Sequence, residues 1–541
     1  MMIDLSRRSL LATGTLGLGA FALPGFAAAG NVMAARGFTH SVASGEPGPD
    51  EMLLWTRYVP VSGDSAELRV ELSETNDFAR VVASGAQITG PWRDWTAKIT
   101  VTGLAPGRRY HYRFVAPDGG FSPVGTTRTL PDDAARRFRA AIFSCSNLAF
   151  GWFNAYGHAA ARDDLDLWIH LGDYFYEYGA GHYPAPAEAV AGRVPEPAGE
   201  IIHLADYRLR YASYRADPDL QALHARLPML AQWDDHESAN DSWEGGAENH
   251  DPATEGDWNA RRAAAIQAYR EWMPVSDEPW KAYDIGTLAT LFRTESRLLA
   301  RTRQREIGAF LKAPDMTRAL TAFRDGAWQD SGVTMLGSQQ EAWLGHALRR
   351  SVRSGRCWQV VGFGTVMGNL LTPPDAQSWL GGNHPAARDY VAAGIAAARL
   401  GLPANFDSWG GYPAARRRFL AQSRAAEANL VVISGDSHNA WAFDLTQDGA
   451  AGVEFAGHAV TSPGYEAALA ADPAAVARSL VAFNPELKWC DTSRRGYMAL
   501  TITPDRVSND WLFVDTVRRR APQAAIGHTA IVERGRGKMA G

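Results

Sequence analysis

Residues 165–179 read LDLWIHLGDYFYEYG, and no other stretch constrains the chain as much. The segment 165–171 is mostly apolar and has the length and β-leaning content of a buried strand. It breaks at Gly172 and at once presents Asp173, Tyr174, Tyr176 and Glu177. A buried strand that ends in a carboxylate, with a phenol three residues on, suits a metal edge. Aspartate supplies a hard oxygen able to bridge two ions, and tyrosinate is a strong donor to a trivalent ion. Alone, the stretch reads equally well as a strand end with its tyrosines packed under a loop.

Three further apolar runs end the same way. RAAIFSCSN ends at Ser144 and Cys145, LPMLAQWDDHE at Asp234, Asp235 and His236, and ANLVVISGDSH at Asp436 and His438. Helix-like segments rich in Ala, Leu and Arg alternate with these runs, at 258–272, 338–350 and 413–427, which argues for α/β layers. In open α/β sheets, sites form beyond the carboxyl ends of the strands. Four such ends therefore bring Cys, Asp, Asp/His and Asp/His to one edge, and a dinuclear metal site is the expected result. The ligand types also sort. Cys145 thiolate and Tyr176 phenolate suit a redox-capable ion such as iron, while Asp235 and Asp436, with Asp173 as the bridge, suit calcium. Two ions ~3.5–4 Å apart can bind both an attacking hydroxide and an ester oxygen, which is equipment for phosphoester hydrolysis. The chain carries neither a Gly-rich phosphate loop nor a GxSxG elbow to compete for that role.

The remainder of the chain divides around this region. Residues 1–30 hold Arg7 and Arg8 inside SRRSLL, a moderately apolar run, and then Ala27, Ala28 and Ala29. They read as a twin-arginine export signal, a route that carries folded proteins. The alternative is a short membrane anchor, but the run is shorter than roughly 20 residues and carries Gly, which favours cleavage. Residues 31–130 are expected to form a small antiparallel β-sandwich of immunoglobulin-like kind, since short alternating runs (AELRVELS, RRYHYRFVA) are separated by PGPD, PGR and PDGG. RTLPDDAARR, 128–137, reads as a linker, 136–515 as the catalytic domain with an irregular insertion at 179–200, and 516–541 as a basic peripheral tail. Net charge is −5, so no basic excess points to a nucleic-acid-binding module. No later run is long and apolar enough to span a membrane. The three cysteines, Cys145, Cys357 and Cys490, make no closed disulfide framework. Cys490 reads as a packing residue, with a bridge to Cys357 as the alternative.

GDYFY (172–176), DHE (235–237) and GDSH (435–438) resemble the ordered blocks of the metallophosphoesterase superfamily, purple acid phosphatases in particular. The fuller set resembles the PhoD-like alkaline phosphatases: FTHSVASGEPGPDEMLLWTR, FSCSN, HLGDYFYEYG, WDDHESAN, EWMPV, MLGSQQEAWL, WGGYPAARRRFL, SGDSHNAWAFDL, TSPG and NPELKW, spread from about Phe38 to Leu500. The resemblance implies an α/β fold, a four-layer αββα catalytic domain preceded by the β-sandwich. It implies Fe³⁺ held by Cys145, Asp173, Tyr176 and His438, and one or two Ca²⁺ held by Asp173, Asp235 and Asp436. It makes His236 the group that contacts or protonates the leaving group. Asn240 would orient phosphate or bind metal, or else serve as a supporting hydrogen-bonding residue. The resemblance departs at Thr365, where many relatives carry Gln, an amide that Thr cannot supply. Arg494 and Arg495 read as solvated surface residues, or as phosphate ligands if the tail folds over the site. The expected protein is a periplasmic or secreted hydrolase of phosphate esters, brought out by the twin-arginine machinery. Direct attack of hydroxide on phosphorus is the expected reaction. A phosphodiesterase acting on phospholipid or polymer is the nearest rival, and a non-catalytic envelope binding protein the more distant one.

Overall fold

The computed structural model describes residues 35–381 and 385–540, so the export signal expected at 1–30 lies outside the described residues. Two large sheets form the body. The first runs, edge to edge, through Ala524–Glu533, Arg506–Val514, Gly496–Ile502, Phe138–Phe143, Leu167–His170, Met229–Ala231, Gly37–Gly45, Glu51–Val59 and Thr96–Thr102. The second runs through Lys281–Ile285, Ala289–Arg293, Trp358–Gly362, Leu430–Ser434, Ala450–Ala456, Ala440–Thr446 and Leu487–Asp491. The centre of each is parallel: Phe143 pairs with His170 and His170 with Ala231 in one, Gly362 with Ile433 in the other. Parallel strands are buried on both faces, which is why these segments read as nearly continuous apolar runs.

Side-chain alternation decides which core each residue joins. Ala140, Ile142, Leu167 and Ile169 meet Val360, Val431, Ile433 and Val453 in one cluster between the two sheets. Their neighbours Phe143 and Trp168 face the opposite way, onto Tyr207, Tyr211, Ala265 and Trp272 of helices Leu204–Arg215 and Trp258–Trp272. Val361 and Val432 likewise face Leu344, Leu348, Phe419 and Leu420 of helices Gly337–Arg353 and Pro413–Ala425. A period of two thus produces the helix–sheet–sheet–helix stack. Local signals set the helix ends. The Asp257 carboxylate accepts from Ala260 N–H at the start of Trp258–Trp272, and Met273 is extended ahead of Pro274 at its end. Truncating a buried tryptophan such as Trp168, which is fully buried, costs about 3–5 kcal/mol.

A four-stranded antiparallel sheet, Val81–Thr89, Ala66–Ser73, Arg109–Val115 and Gly125–Arg128, covers the N-terminal strands. Leu68, Val70, Tyr112 and Phe114 pack there against Val42, Leu54 and Ile99. The second layer of this sandwich is continuous with the first large sheet, because Gly45 is in parallel register with Met229. The tail also differs from expectation. Ala524–Glu533 is an edge strand paired antiparallel with Arg506–Val514, burying Ala530 and Val532. Basic residues crowd both flanks of this strand, so composition conceals its alternation. Residues 179–200 contain no helix or strand, as expected. All three cysteines are buried free thiols. No helix among the described residues is long and apolar enough to cross a membrane.

Candidate metal centre

The ends of four parallel strands, two from each sheet, converge on one point. Past Phe143 come Ser144 and Cys145, past His170 come Gly172 and Asp173, past Gly362 comes Thr365, and past Ser434 comes Asp436. The segment after Ala231 adds Asp234, Asp235 and His236 from the same side. Backbone bonds fix the turns: Cys145 N–H donates to Gly172 O at 3.2 Å, and Gly435 N–H to Gly364 O at 2.9 Å. Gly435 is what lets the sheets meet, since a Cβ there would stand 2.7 Å from Ser144 Cβ. Gly172, at φ +114, permits an equally close approach to Asp234.

Four of the expected ligands pay a backbone cost. Cys145, Asp173, Asp436 and His438 have φ of 59, 56, 63 and 60°. Left-handed non-glycine residues are uncommon and cost of order 1 kcal/mol or more each, and strain of this kind collects at functional sites.

Asp173 stands at the centre. Cys145, Asp173 and His438 offer donor atoms within 4.8 Å of one another; so do Asp173, Asp235 and His236, and so do Asp173, Asp234, Asp235 and Asp436. The Cys145 sulfur lies 3.3 Å from Asp173 Oδ2, and the Tyr176 hydroxyl 3.4 Å from the same oxygen. Tyr176 hydroxyl also lies 2.9 Å from His438 Nε2, while Ser462 donates to it at 2.8 Å. His438 Nδ1 meets Pro463 O at 2.8 Å, an arrangement that leaves Nε2 as the ligand atom.

The electrostatics favour a cation. Asp173 Oδ1 and Asp235 Oδ1 are buried without a hydrogen-bond partner among the described residues. Burial, then the neighbouring carboxylates, pushes Asp173 and Asp436 well above the usual carboxylate range. Burial next to Asp173 pushes the Cys145 thiol and the Tyr176 phenol up as well. Burial holds His438 down to about 3, as a neutral imidazole. A thiol, a phenol, the neutral His438 imidazole and a set of carboxylates, two of them with an unpartnered oxygen, fit a two-metal centre.

His236 is held from behind. Its Nδ1 lies 2.6 Å from Glu177 Oε2, and its ring packs 4.1 Å from that of Tyr176. Burial opposes a charge on His236, but Glu177, Asp235 and Asp173 together hold it protonated well above the ordinary histidine range. Asn240 gives its backbone N–H to Glu177 and its side-chain amide to Glu248 at 3.0 Å, and it joins none of the ligand clusters.

Comparison with known proteins gives the family. Residues 140–511 match the PhoD-like phosphatase family, and residues 25–131 match the N-terminal domain of PhoD-like phosphatases. The chain belongs to the PhoD-like phosphatase family. It is 31% identical over 519 residues to alkaline phosphatase D of Bacillus subtilis (strain 168), covering 91% of this chain and 80% of that one. The solved structure described as that of PhoD superposes with a TM-score of 0.75 at 28% identity, covering 94% of this chain and 92% of the other. This PhoD-like phosphatase is therefore a phosphoric ester hydrolase, with the expected αββα body and N-terminal antiparallel sheet domain.

Arg297, Arg301 and Asp407, which pack beside the candidate site, carried no sequence signal of their own. Arg297 is fully buried and pairs with both oxygens of Asp234, at 2.6 and 3.0 Å, and both of Asp407, at 2.8 and 2.7 Å. Arg301 also pairs with Asp407. Asp234 is thereby tied to a guanidinium, leaving Asp235 beside Asp173. Glu237 accepts from the backbone N–H groups of Asp173, Tyr174 and Asp234, and burial pushes it up to about 7. It lies inside the DHE block, so its position was legible although its task was not. Thr365, in the place of the expected amide, donates to Asp436 Oδ2 at 2.7 Å and so orients a candidate ligand. Arg494 pairs with Asp491 and stacks 3.7 Å over Phe513. Arg495 is buried, pairs with Glu466 and donates to His438 O at 2.6 Å, so it braces the His438 turn instead of lying solvated.

Proposed function

We propose that this chain is an exported, metal-dependent phosphoesterase of the alkaline phosphatase D type. It hydrolyses phosphate monoesters, diesters or both by direct attack of water on phosphorus, without a covalent enzyme intermediate. Cys145, Asp173, Tyr176 and His438 would hold Fe³⁺, and Asp173, Asp235 and Asp436 would hold one or two Ca²⁺. Bound there, the cations would lower the pKa of the attacking water and neutralise charge building on the phosphate oxygens.

The observation that carries this reading is the place of Asp173. It belongs to all three clusters of candidate ligands and keeps one buried oxygen unpartnered. Cys145 and Tyr176 are held protonated by burial beside Asp173, so loading the site would release their protons. Arg297 keeps Asp234 out of competition for the cations by taking both its oxygens. His236, protonated and oriented by Glu177, would give its proton to the departing ester oxygen. Asn240 would orient the phosphate if its amide turned from Glu248. A site assembled from segments this far apart exists only in the folded chain, which suits a twin-arginine signal at residues 1–30 and a periplasmic or secreted location.

Treatment with a chelator, followed by addition of Fe³⁺ and Ca²⁺, tests the proposal. Hydrolysis of 4-nitrophenyl phosphate and bis(4-nitrophenyl) phosphate should vanish and return only with both ions. Full activity in the stripped protein would overturn it.

A further inference from the structure

Beside Asp436 the surface opens into a pocket of about 320 Å³, within the range of small-molecule sites. Thr365, Asp436 and Ser437 are among its lining residues, so it reaches the candidate metal edge. Its walls are Leu370, Leu371, Trp379, Val391, Trp441 and Leu469. Several of the polar groups along them are already engaged, while the Thr372 and Tyr465 hydroxyls add two polar points to an otherwise apolar wall. Thr365 donates to Asp436, the Ser437 hydroxyl receives the Trp441 indole N–H at 2.7 Å, and Ser408 donates to Asn405 O at 2.9 Å. The Trp379 indole N–H donates to Asp375 at 3.2 Å, and the Tyr390 hydroxyl to Ala404 O at 3.2 Å. What the pocket offers a guest is therefore mainly apolar surface. A larger cleft of about 930 Å³ lies along the helix Trp258–Trp272 and is lined by Arg93, Lys98 and Arg262, but none of the candidate ligands borders it.

We infer that this pocket receives an apolar alkyl group esterified to the phosphate, so that the preferred substrates are phosphate esters of apolar alcohols. The inference rests on the phosphoesterase reading of the metal centre. A phosphate at Asp173, Asp235 and Asp436 would have the pocket mouth at the Asp436 side, and an alkyl substituent pointing that way leaves water along its length. A sugar or polyol would find too few hydrogen-bond partners on these mostly apolar walls to replace its water, and is disfavoured.

Two readouts test it, one of them independent of turnover. The first is binding of n-alkylphosphonates, methyl to decyl, followed through tryptophan fluorescence, because Trp379 and Trp441 line the pocket. The second is kcat/KM for 4-nitrophenyl alkyl phosphates over the same chain lengths. Affinity and kcat/KM should each rise by up to about fourfold per methylene until the pocket is filled, and then level off. Val391→Trp should move the break to a shorter chain and Leu469→Ala to a longer one. A flat series in both readouts overturns the pocket assignment while leaving the hydrolase intact. Chain-length-dependent binding with no hydrolysis of any ester supports the pocket and sinks the catalytic reading instead. If either variant fails to fold, the wild-type series decides alone.

Discussion

Glu177 Oε2 lies 2.6 Å from His236 Nδ1, and both groups are buried. The carboxylate also accepts from Asn240 N–H and from the Asn249 amide, which holds it in place and well within its ionised form. Burial opposes that charge, but His236 and these donors keep Glu177 below the usual carboxylate range. The pair fixes both the orientation and the protonation of the imidazole that faces the candidate metal edge.

Glu177→Gln should therefore lower kcat by about a hundredfold and change KM much less. His236 is raised above its ordinary value partly by the Glu177 charge. Removing that charge lowers the folded pKa of His236, so the alkaline limb of the kcat profile should move to lower pH. An unmoved limb, measured on a substrate with a poor leaving group, would remove His236 from the role of acid.

Arg297 joins Asp234 to Asp407 in the interior with its side chain fully buried. Arg297→Met leaves the buried Asp234 carboxylate without its cation, while Asp407 keeps Arg301. Losing one partner of a buried ion pair costs about 3–5 kcal/mol. Urea unfolding should report a loss of that size, together with weaker metal retention as Asp234 is released toward Asp235. A loss under about 1 kcal/mol would mean that solvent reaches this pair.

Buried histidines away from the metal edge set an acid limit. Burial pushes His458 down to about 3, and its Nε2 lies 3.0 Å from Leu512 O. The folded value is depressed below the unfolded value of about 6.5, so the unfolded chain binds the proton first as pH falls. Stability from this group is full above about pH 6.5 and is lost progressively below it, by about 2 kcal/mol at pH 5. His458→Gln keeps a donor for Leu512 O and should flatten the fall in the urea midpoint between pH 7 and 5. An unchanged slope would place the acid sensitivity elsewhere.

The sequence displayed the candidate metal edge because these expected ligands follow apolar runs closely. Cys145, Asp173, Asp235 and Asp436 all stand within a few residues of a strand end, so local pattern was enough. Their electrostatic counterparts were hidden because pairing is tertiary. Arg297 and Asp407 look like ordinary surface charges in the sequence, yet both are buried beside Asp234. The strand Ala524–Glu533 was masked by the arginines around it, and the junction at Gly45 and Met229 by its length in sequence. Thr365 carried a signal only as a departure from the family pattern, and geometry supplied its task.

The proposal turns on Asp173, which would help to hold both of two different ions. Elemental analysis of protein purified after export, without added metal, tests it most directly when run beside Asp173→Asn. The account predicts iron near one per chain plus calcium in the wild type, and loss of both from the variant. Full iron and calcium in Asp173→Asn, or a wild type that holds no metal and gains no activity from iron and calcium, would contradict it.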